Sequence, residues 1–173
     1  MPVPEDHVDH LLARLDGSGA RLDLEVEGIV DRVGSINKRV RHALKETLVD
    51  YGLTPEDWGV LTSLSLRKAG KLSSPGVLAR DLELSSGAVT SRLDRLESLG
   101  FLRRLPDPGD RRGVLVELTQ EGRAAWESAI EVQGRKEAFF ASALSKDEQV
   151  ELNGLLRKLL LALDARRREP TGQ

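Results

Sequence analysis

The stretch LSSGAVTSRLDRLESLGFLRRLPDPGDRRGVLVELT, Leu84–Thr119, opens with small hydroxyl residues, passes into a helical pattern and closes with two strand-like runs around PDPGDRRG. A helix is predicted from about Ser86 to Leu99, with Gly100 as the C′ glycine that ends it. At about 100° per residue, Val89, Leu93 and Leu96 share one narrow face, which must be buried. Gly87, Ser91, Asp94, Arg95 and Ser98 fall opposite, and Thr90 and Arg92 flank the border. A helix that enters a major groove needs this composition. Small residues let the backbone approach, Ser and Thr reach phosphates or base edges, and Arg bonds guanine bidentately. The free N–H groups of the first turn also favour phosphate. Taken alone, the same helix reads equally well as an ordinary amphipathic helix with a solvated polar face, and Asp94 favours that reading.

The residues behind the helix shift the balance. Two short strands are predicted, Phe101–Leu105 and Val114–Leu118, the second alternating Val114, Val116 and Leu118. The intervening PDPGDRRG reads as a loop longer than a tight two-residue turn, with Asp110, Arg111 and Arg112 at its tip. Such a hairpin is too small for a separate sheet domain and belongs against the preceding helix as a wing. Paired arginines there can reach a minor groove, whose narrow stretches attract guanidinium. Asp110 would repel phosphate and is expected to hold a neighbouring arginine. The alternative is a solubilising hairpin tip.

The rest of the 173 residues is helical in pattern. PEDHVDHLLARL carries Val8, Leu11, Leu12 and Leu15 at helical spacing, and DGSG breaks it. A longer helix keeps one apolar stripe from Val26 through Ile29, Val33, Ile36 and Val40 to Leu48. Thr54 and Pro55 start the next helix as N-cap and first residue. GKLSSPG reads as a loop, followed by a short helix from Ser74 or Pro75. Thr119 caps a long helix carrying Ala125, Trp126, Ala129, Ile130 and Val132. Ser145 and Glu148 match a capping box. The last helix places Leu152, Leu155, Leu156, Leu159, Leu160 and Leu163 on one stripe and ends in Arg166–Arg168. The tail 169–173, EPTGQ, is expected to fray.

Hydrophobic residues make up 39% and charged residues 31%, which suits a soluble, helix-rich chain, and aromatics at 3% leave the core to aliphatic residues. The absence of cysteine removes disulfides and thiolate metal sites and fits a cytoplasmic location. No apolar run approaches the roughly 20 residues of a membrane-spanning helix, and the acidic N-terminus lacks a signal peptide's pattern. A net charge of −2 counts mildly against nucleic-acid binding. Only the local patch matters within a Debye length of roughly 8–10 Å, however.

The segment Thr54–Gly122 closely resembles the MarR family of bacterial winged helix–turn–helix regulators, above all in DRRGVLVELT followed by EGR. The helices on both sides match, so the resemblance covers nearly the whole chain. It implies a mainly α fold with a small β-hairpin wing: a winged helix–turn–helix DNA-binding lobe over 51–120 and a helical dimerisation region over 1–50 and 121–168. It further implies an obligate homodimer on a pseudo-palindromic operator in double-stranded DNA, with repression as the usual sign. By position, the family's DNA-contacting helix residues fall on Ser85, Ser86, Gly87, Thr90, Ser91, Arg92 and Arg95. Its wing positions fall on Asp110, Arg111 and Arg112, the two arginines being the contacts. A small-molecule effector between the dimer helices and the DNA-binding lobe is implied too.

DHVDHLLARL also resembles the extra first helix of the urate- and plant-signal-responsive branch. That branch carries Trp where this chain has Leu15, and Asp after the third-helix Trp where this chain has Gly59. Its aromatic-anion effector is therefore not carried over. Arg39, His42 and Trp58 either line the cleft or serve packing and surface.

The two leucine- and valine-rich stripes independently favour a dimer, because the small lobe cannot cover both and two-fold dimers are the commonest oligomers. The alternative is packing within one subunit. Three other functions compete with this reading. His7 and His10, three apart on a helix, could share a metal, but without cysteine such a pair is usually solvated; no metal or cofactor is expected. There is no G-x-S-x-G, P-loop or G-x-G-x-x-G, so no enzyme is expected. A pure interaction module would have no use for Arg92, Arg95, Arg111 and Arg112 together.

Overall fold

The computed structural model describes residues 4–19, 21–67 and 72–168. The expected frayed tail 169–173, and Gly70 and Lys71 of the expected loop, lie outside the described residues. The chain divides into two compact units, Met1–Gln133 and Gly134–Gln173. The described residues form α1 (His7–Gly17), α2 (Leu24–Val49), α3 (Pro55–Ser65), α4 (Pro75–Asp81), α5 (Ser86–Ser98), β1 (Leu102–Asp107), β2 (Asp110–Leu118), α6 (Gln120–Ala141) and α7 (Lys146–Arg168). None of these helices is long and apolar enough to cross a membrane.

Local chemistry starts most of these elements. Asp6 caps α1 and Asp23 caps α2. Thr54 and Asp57 form a capping box on α3, with Pro55 in its first turn. Ser74 and Ser85 cap α4 and α5. In the second unit, the Ser145 hydroxyl accepts from the Glu148 N–H at 3.3 Å, and the Glu148 carboxylate accepts from the Ser145 N–H at 2.7 Å. The capping box expected on α7 is therefore present.

The core of the first unit is aliphatic. Leu48 of α2, Val60, Leu61 and Leu64 of α3, Leu78 of α4, and Val89, Leu93 and Leu96 of α5 meet Leu102 and Val116 of the hairpin and Ala129 of α6. The buried face expected on α5 is thus the one observed. Trp58 stacks on Trp126 with ring centroids 6.3 Å apart, and the Trp126 indole N–H donates to Thr62 Oγ1 at 3.1 Å. Trp58 therefore serves packing.

The hairpin differs from expectation. β1 continues through Pro106 and Asp107, and β2 begins at Asp110, so the connection is the two-residue turn Pro108–Gly109, with a register irregularity at Pro106/Asp107. The expected open loop is therefore closed by the Asp107–Asp110 pair, while Arg111, Arg112 and Gly113 fall in the irregularity between that pair and Pro106–Val114. Ser73 adds a bridge at the other edge of β2: its N–H donates to the Val116 carbonyl at 3.1 Å, and the Val116 N–H donates back at 2.8 Å. The loop before α4 is thus stitched to the hairpin.

A backbone crossing closes the lobe. The Thr119 N–H donates to the Phe101 carbonyl at 3.1 Å, and the Thr119 hydroxyl donates to the Gly100 carbonyl at 2.7 Å while accepting from the Gly122 N–H at 3.0 Å. A Cβ on Gly122 would lie 1.9 Å from the Phe101 carbonyl oxygen. Only glycine lets α6 start against the end of α5. Gly122→Ala is expected to cost about 3 kcal/mol, since the clash is with backbone. Urea denaturation monitored by circular dichroism measures this.

α1 is fastened to α2 by charge. Arg32 donates to Asp6 Oδ2 at 3.0 Å and to Asp9 Oδ1 at 2.5 Å. The Arg32 hydrogen bond, helped by the Asp9 and Val8 amides and opposed by desolvation, holds the Asp6 carboxyl at about 2, below its ordinary 3.8. A depressed carboxyl stabilises the fold fully above its unfolded value and loses that contribution as pH falls through its folded value. The α1–α2 contact is expected to weaken between pH 3.8 and about 2. Asp6→Asn should remove that pH dependence from amide exchange in α1.

Candidate nucleic-acid interface

α4, a four-residue turn and α5 form the helix–turn–helix, with the Leu84 N–H donating to the Ala79 carbonyl at 2.8 Å. Glu83 takes a left-handed φ of 52° in this turn. Leu78, Val89, Leu93 and Leu96 are fully buried, so α5 lies on the core by one face and leaves the other to solvent.

The exposed tip of α5 matches the residues singled out in the sequence. Ser85, Ser86, Gly87, Thr90 and Ser91 are all exposed. Two of these hydroxyls have local partners: Ser85 Oγ accepts from the Ala88 N–H at 3.2 Å, and Thr90 Oγ1 donates to the Ser86 carbonyl at 2.9 Å. A Cβ added at Gly87 would meet nothing within 4 Å. Arg92 is half-buried, and its Nη1 has no hydrogen-bond partner among the described residues.

Arg95 is placed differently from the rest. Its Nε donates to Asp57 Oδ2 at 3.0 Å, and its Nη2 donates to the Gly52 carbonyl at 2.6 Å. Two of its three guanidinium nitrogens are thus occupied by the α2–α3 corner.

On the hairpin, Arg111 and Arg112 are exposed and have no side-chain partner among the described residues. They stand near the start of β2, in the stretch 111–113 where the register with β1 is interrupted. Asp110 does not hold a guanidinium. Its Oδ1 accepts from the backbone N–H of Arg112 at 2.9 Å, so it shapes the strand after the turn. Asp107 does the same on the other side, accepting from the Gly109 N–H at 2.8 Å.

Sequence reasoning missed Arg104. This β1 residue donates from its backbone N–H to Glu97 Oε1 at 3.1 Å and from Nη2 to Asp94 Oδ1 at 2.6 Å, and its Nη1 pairs with the other oxygen of Glu97. Partial burial pulls its pKa down, but the bonds to Asp94 and Glu97 outweigh this and raise it. The clamp ties hairpin to helix and offsets one of the two negative charges on this side of α5. Asp94, which counts against a phosphate-facing helix, shares that single guanidinium with Glu97.

The other candidate residues lie apart from this surface. His7 Nε2 is 2.8 Å from Ser35 Oγ, His10 faces Glu5, His42 lies 3.3 Å from Glu46, and Arg39 donates to the Ser35 carbonyl.

A helix–turn–helix whose second helix is flanked by a clamped hairpin defines a winged-helix protein. Comparison with known proteins narrows this. The model of the MarR family matches residues 51–113. The transcriptional regulator PecS of Dickeya dadantii is 33% identical over 141 residues, which is 80% of this chain and 85% of the relative. The multiple antibiotic resistance protein MarR of Escherichia coli is 34% identical over 126 residues, covering 72% of this chain and 85% of the relative. Among solved structures, a point mutant of E. coli MarR complexed with operator DNA superposes with a TM-score of 0.68 at 32% identity, covering 82% of this chain and 99% of that one. The chain belongs to the MarR family of transcriptional regulators.

The clamp yields a comparison of two neighbouring arginines. Arg104→Ala removes charged bonds to two carboxylates from a guanidinium only 28% exposed and should lower the unfolding free energy by about 1 kcal/mol. Arg103→Ala, which breaks a pair with Glu117 through an arginine side chain 65% exposed, should change it by less than about 0.5 kcal/mol. Urea denaturation of both variants measures the difference.

Proposed function

We propose that this chain is a sequence-specific DNA-binding regulator that acts in the cytoplasm as a homodimer on a pseudo-palindromic operator. The observation that carries this is the pairing of an open, small-residue tip on α5 with two partner-free arginines on β2, in a fold that a relative has been solved in with operator DNA. Ser85, Ser86, Gly87, Thr90, Ser91 and Arg92 meet the major groove, where hydroxyls and guanidinium reach phosphates and base edges. Arg111 and Arg112 reach the minor groove, with Asp110 setting their backbone.

The dimer reading rests on unpartnered apolar surface within each unit. Val26, Ile29, Val30, Val33 and Ile36 of α2 are exposed at helical spacing. So, in the second unit, are Leu152, Leu155, Leu159, Leu160 and Leu163 of α7. Residues 1–50 and 121–168 supply the two-fold contact, and 51–120 supply the DNA-binding lobe. Two recognition helices then meet successive major grooves about 10–10.5 base pairs apart. A dimer seated across a promoter excludes polymerase, so repression is the expected sign. A small molecule that prefers another lobe spacing releases the operator, to the extent of its differential affinity.

Four measurements test this. Sedimentation equilibrium should give twice the chain mass of 19.0 kDa; a monomer at micromolar concentration removes the dimer. Fluorescence anisotropy against duplex from the region upstream of the coding sequence, or from a genomic-fragment selection, should show salt-sensitive preference over a scrambled duplex. Replacing both Arg111 and Arg112 by Ala should reduce the slope of log affinity against log salt by up to about 1.8, at about 0.9 per phosphate, with preference retained. Gly87→Ala fills open space, so it should leave thermal stability unchanged or raised while weakening binding. Unchanged affinity in that variant means the backbone does not approach DNA there.

A further inference from the structure

We propose that Arg95, on the polar face of the recognition helix, is a positioning residue that fixes α5 to the α2–α3 corner and does not contact DNA. The proposal rests on the DNA-binding reading above, and its test separates the two.

Three features of the geometry support it. First, Arg95 lies about 14 Å along the helix axis from Ser86, at 1.5 Å per residue, and so stands well behind the tip. Second, its two bonds go to acceptors that cannot move independently. Asp57 is 1% exposed, and its Oδ2 accepts both the Arg95 Nε at 3.0 Å and the Thr54 N–H at 2.9 Å. Its own N–H donates to Thr54 Oγ1, so the carboxylate is fixed by the α3 capping box. Gly52, whose carbonyl takes the Arg95 Nη2, sits in the turn that ends α2, with φ of 64° and its N–H on the Val49 carbonyl. Third, a guanidinium can span a carboxylate and a carbonyl at once, whereas an ammonium is a point charge on a flexible stem. Turning Arg95 toward a phosphate would leave a buried carboxylate without its cation, a costly state.

The brace and a phosphate contact predict opposite results. The test uses the full chain, a duplex selected by the wild-type protein from genomic fragments, fluorescence anisotropy over a range of salt, and amide hydrogen exchange without DNA. With a brace, Arg95→Lys binds roughly tenfold more weakly, the cost of a lost charged hydrogen bond. Its salt slope is unchanged, and exchange accelerates both in α5 and at 52–54. Asp57→Asn also weakens binding, although it removes a negative charge from the DNA-binding lobe. Combining Arg95→Gln with Asp57→Asn costs no more than the worse single change.

With a phosphate contact, Arg95→Lys binds nearly as wild type, Arg95→Gln reduces the salt slope by about 0.9, and Asp57→Asn frees the arginine and binds equally or more tightly. Any of these overturns the proposal. Should Asp57→Asn fail to fold because it also serves the α3 cap, Arg95→Lys, which leaves that cap intact, decides alone. Should the wild-type protein prefer no duplex, the DNA-binding reading fails, and unchanged exchange in Arg95→Lys overturns the brace on its own.

Discussion

A helix that offers its small polar face to a partner cannot also use that face to hold itself in place. Ser85, Ser86, Gly87 and Ser91 are exposed, small and polar, so the orientation of α5 must come from its other sides. Beneath it, Val89, Leu93 and Leu96 are fully buried in the aliphatic core. At its far end, Gly100 and Phe101 are gripped by Thr119 and Gly122 at the start of α6. To one side, Asp94 and Glu97 are clamped by Arg104 of the hairpin. On the polar face behind the tip, Arg95 reaches the α2–α3 corner. A buried apolar face alone resists rocking poorly, because hydrophobic burial is non-directional. The charged bonds supply direction.

The hairpin follows the same logic. A two-stranded ribbon is marginal by itself in water. Here β1 is tied to α5 through Arg104, and β2 is tied on its other edge to Ser73, which immediately precedes α4. The wing is thus held from both helices of the helix–turn–helix. Its tip is shaped from within: Asp107 and Asp110 accept backbone N–H groups on either side of Pro108–Gly109. That assignment leaves Arg111 and Arg112 without side-chain partners among the described residues, so their charge is available at the surface.

What was legible in the sequence was local or periodic. The α5 face is set by spacing, and Thr54, Ser145 with Glu148, and Gly100 are set by cap chemistry within a turn of the residues they serve. The strand ends were not legible. Pro106, Asp107, Asp110 and Gly113 have the composition of a loop, and such residues are depleted in strands. Pro106 pairs with Val114 and Asp107 with Asp110, whereas Arg111, Arg112 and Gly113 fall in the register irregularity. The Ser73 bridge is a single residue pair and has no period to detect. Arg95 and Arg104 show a second limit. A helical wheel places Arg95 on the outer face, but a long side chain travels toward its acceptor, and Asp57 is 38 residues away in sequence. Arg104 looked like one polar position in a strand, and its acids sit on another element.

Net charge is the remaining obstacle to a DNA-binding surface, since the chain carries −2 overall. The pairing pattern answers it. Asp57, Asp94, Glu97 and Glu117 each meet an arginine, Arg95, Arg104 or Arg103, whereas Asp107 and Asp110 at the hairpin tip accept backbone N–H groups. A pair a few ångströms across is nearly neutral to a phosphate beyond it, because opposite charges cancel within a Debye length. Arg111 and Arg112 escape such cancellation. At the hairpin tip Arg111 and Arg112 stand beside Asp107 and Asp110, whose carboxylates accept backbone N–H groups, so guanidinium is presented there outside any ion pair among the described residues. Arginines that brace acids stabilise the lobe and offset part of its negative charge together, so net charge alone does not describe what this surface presents.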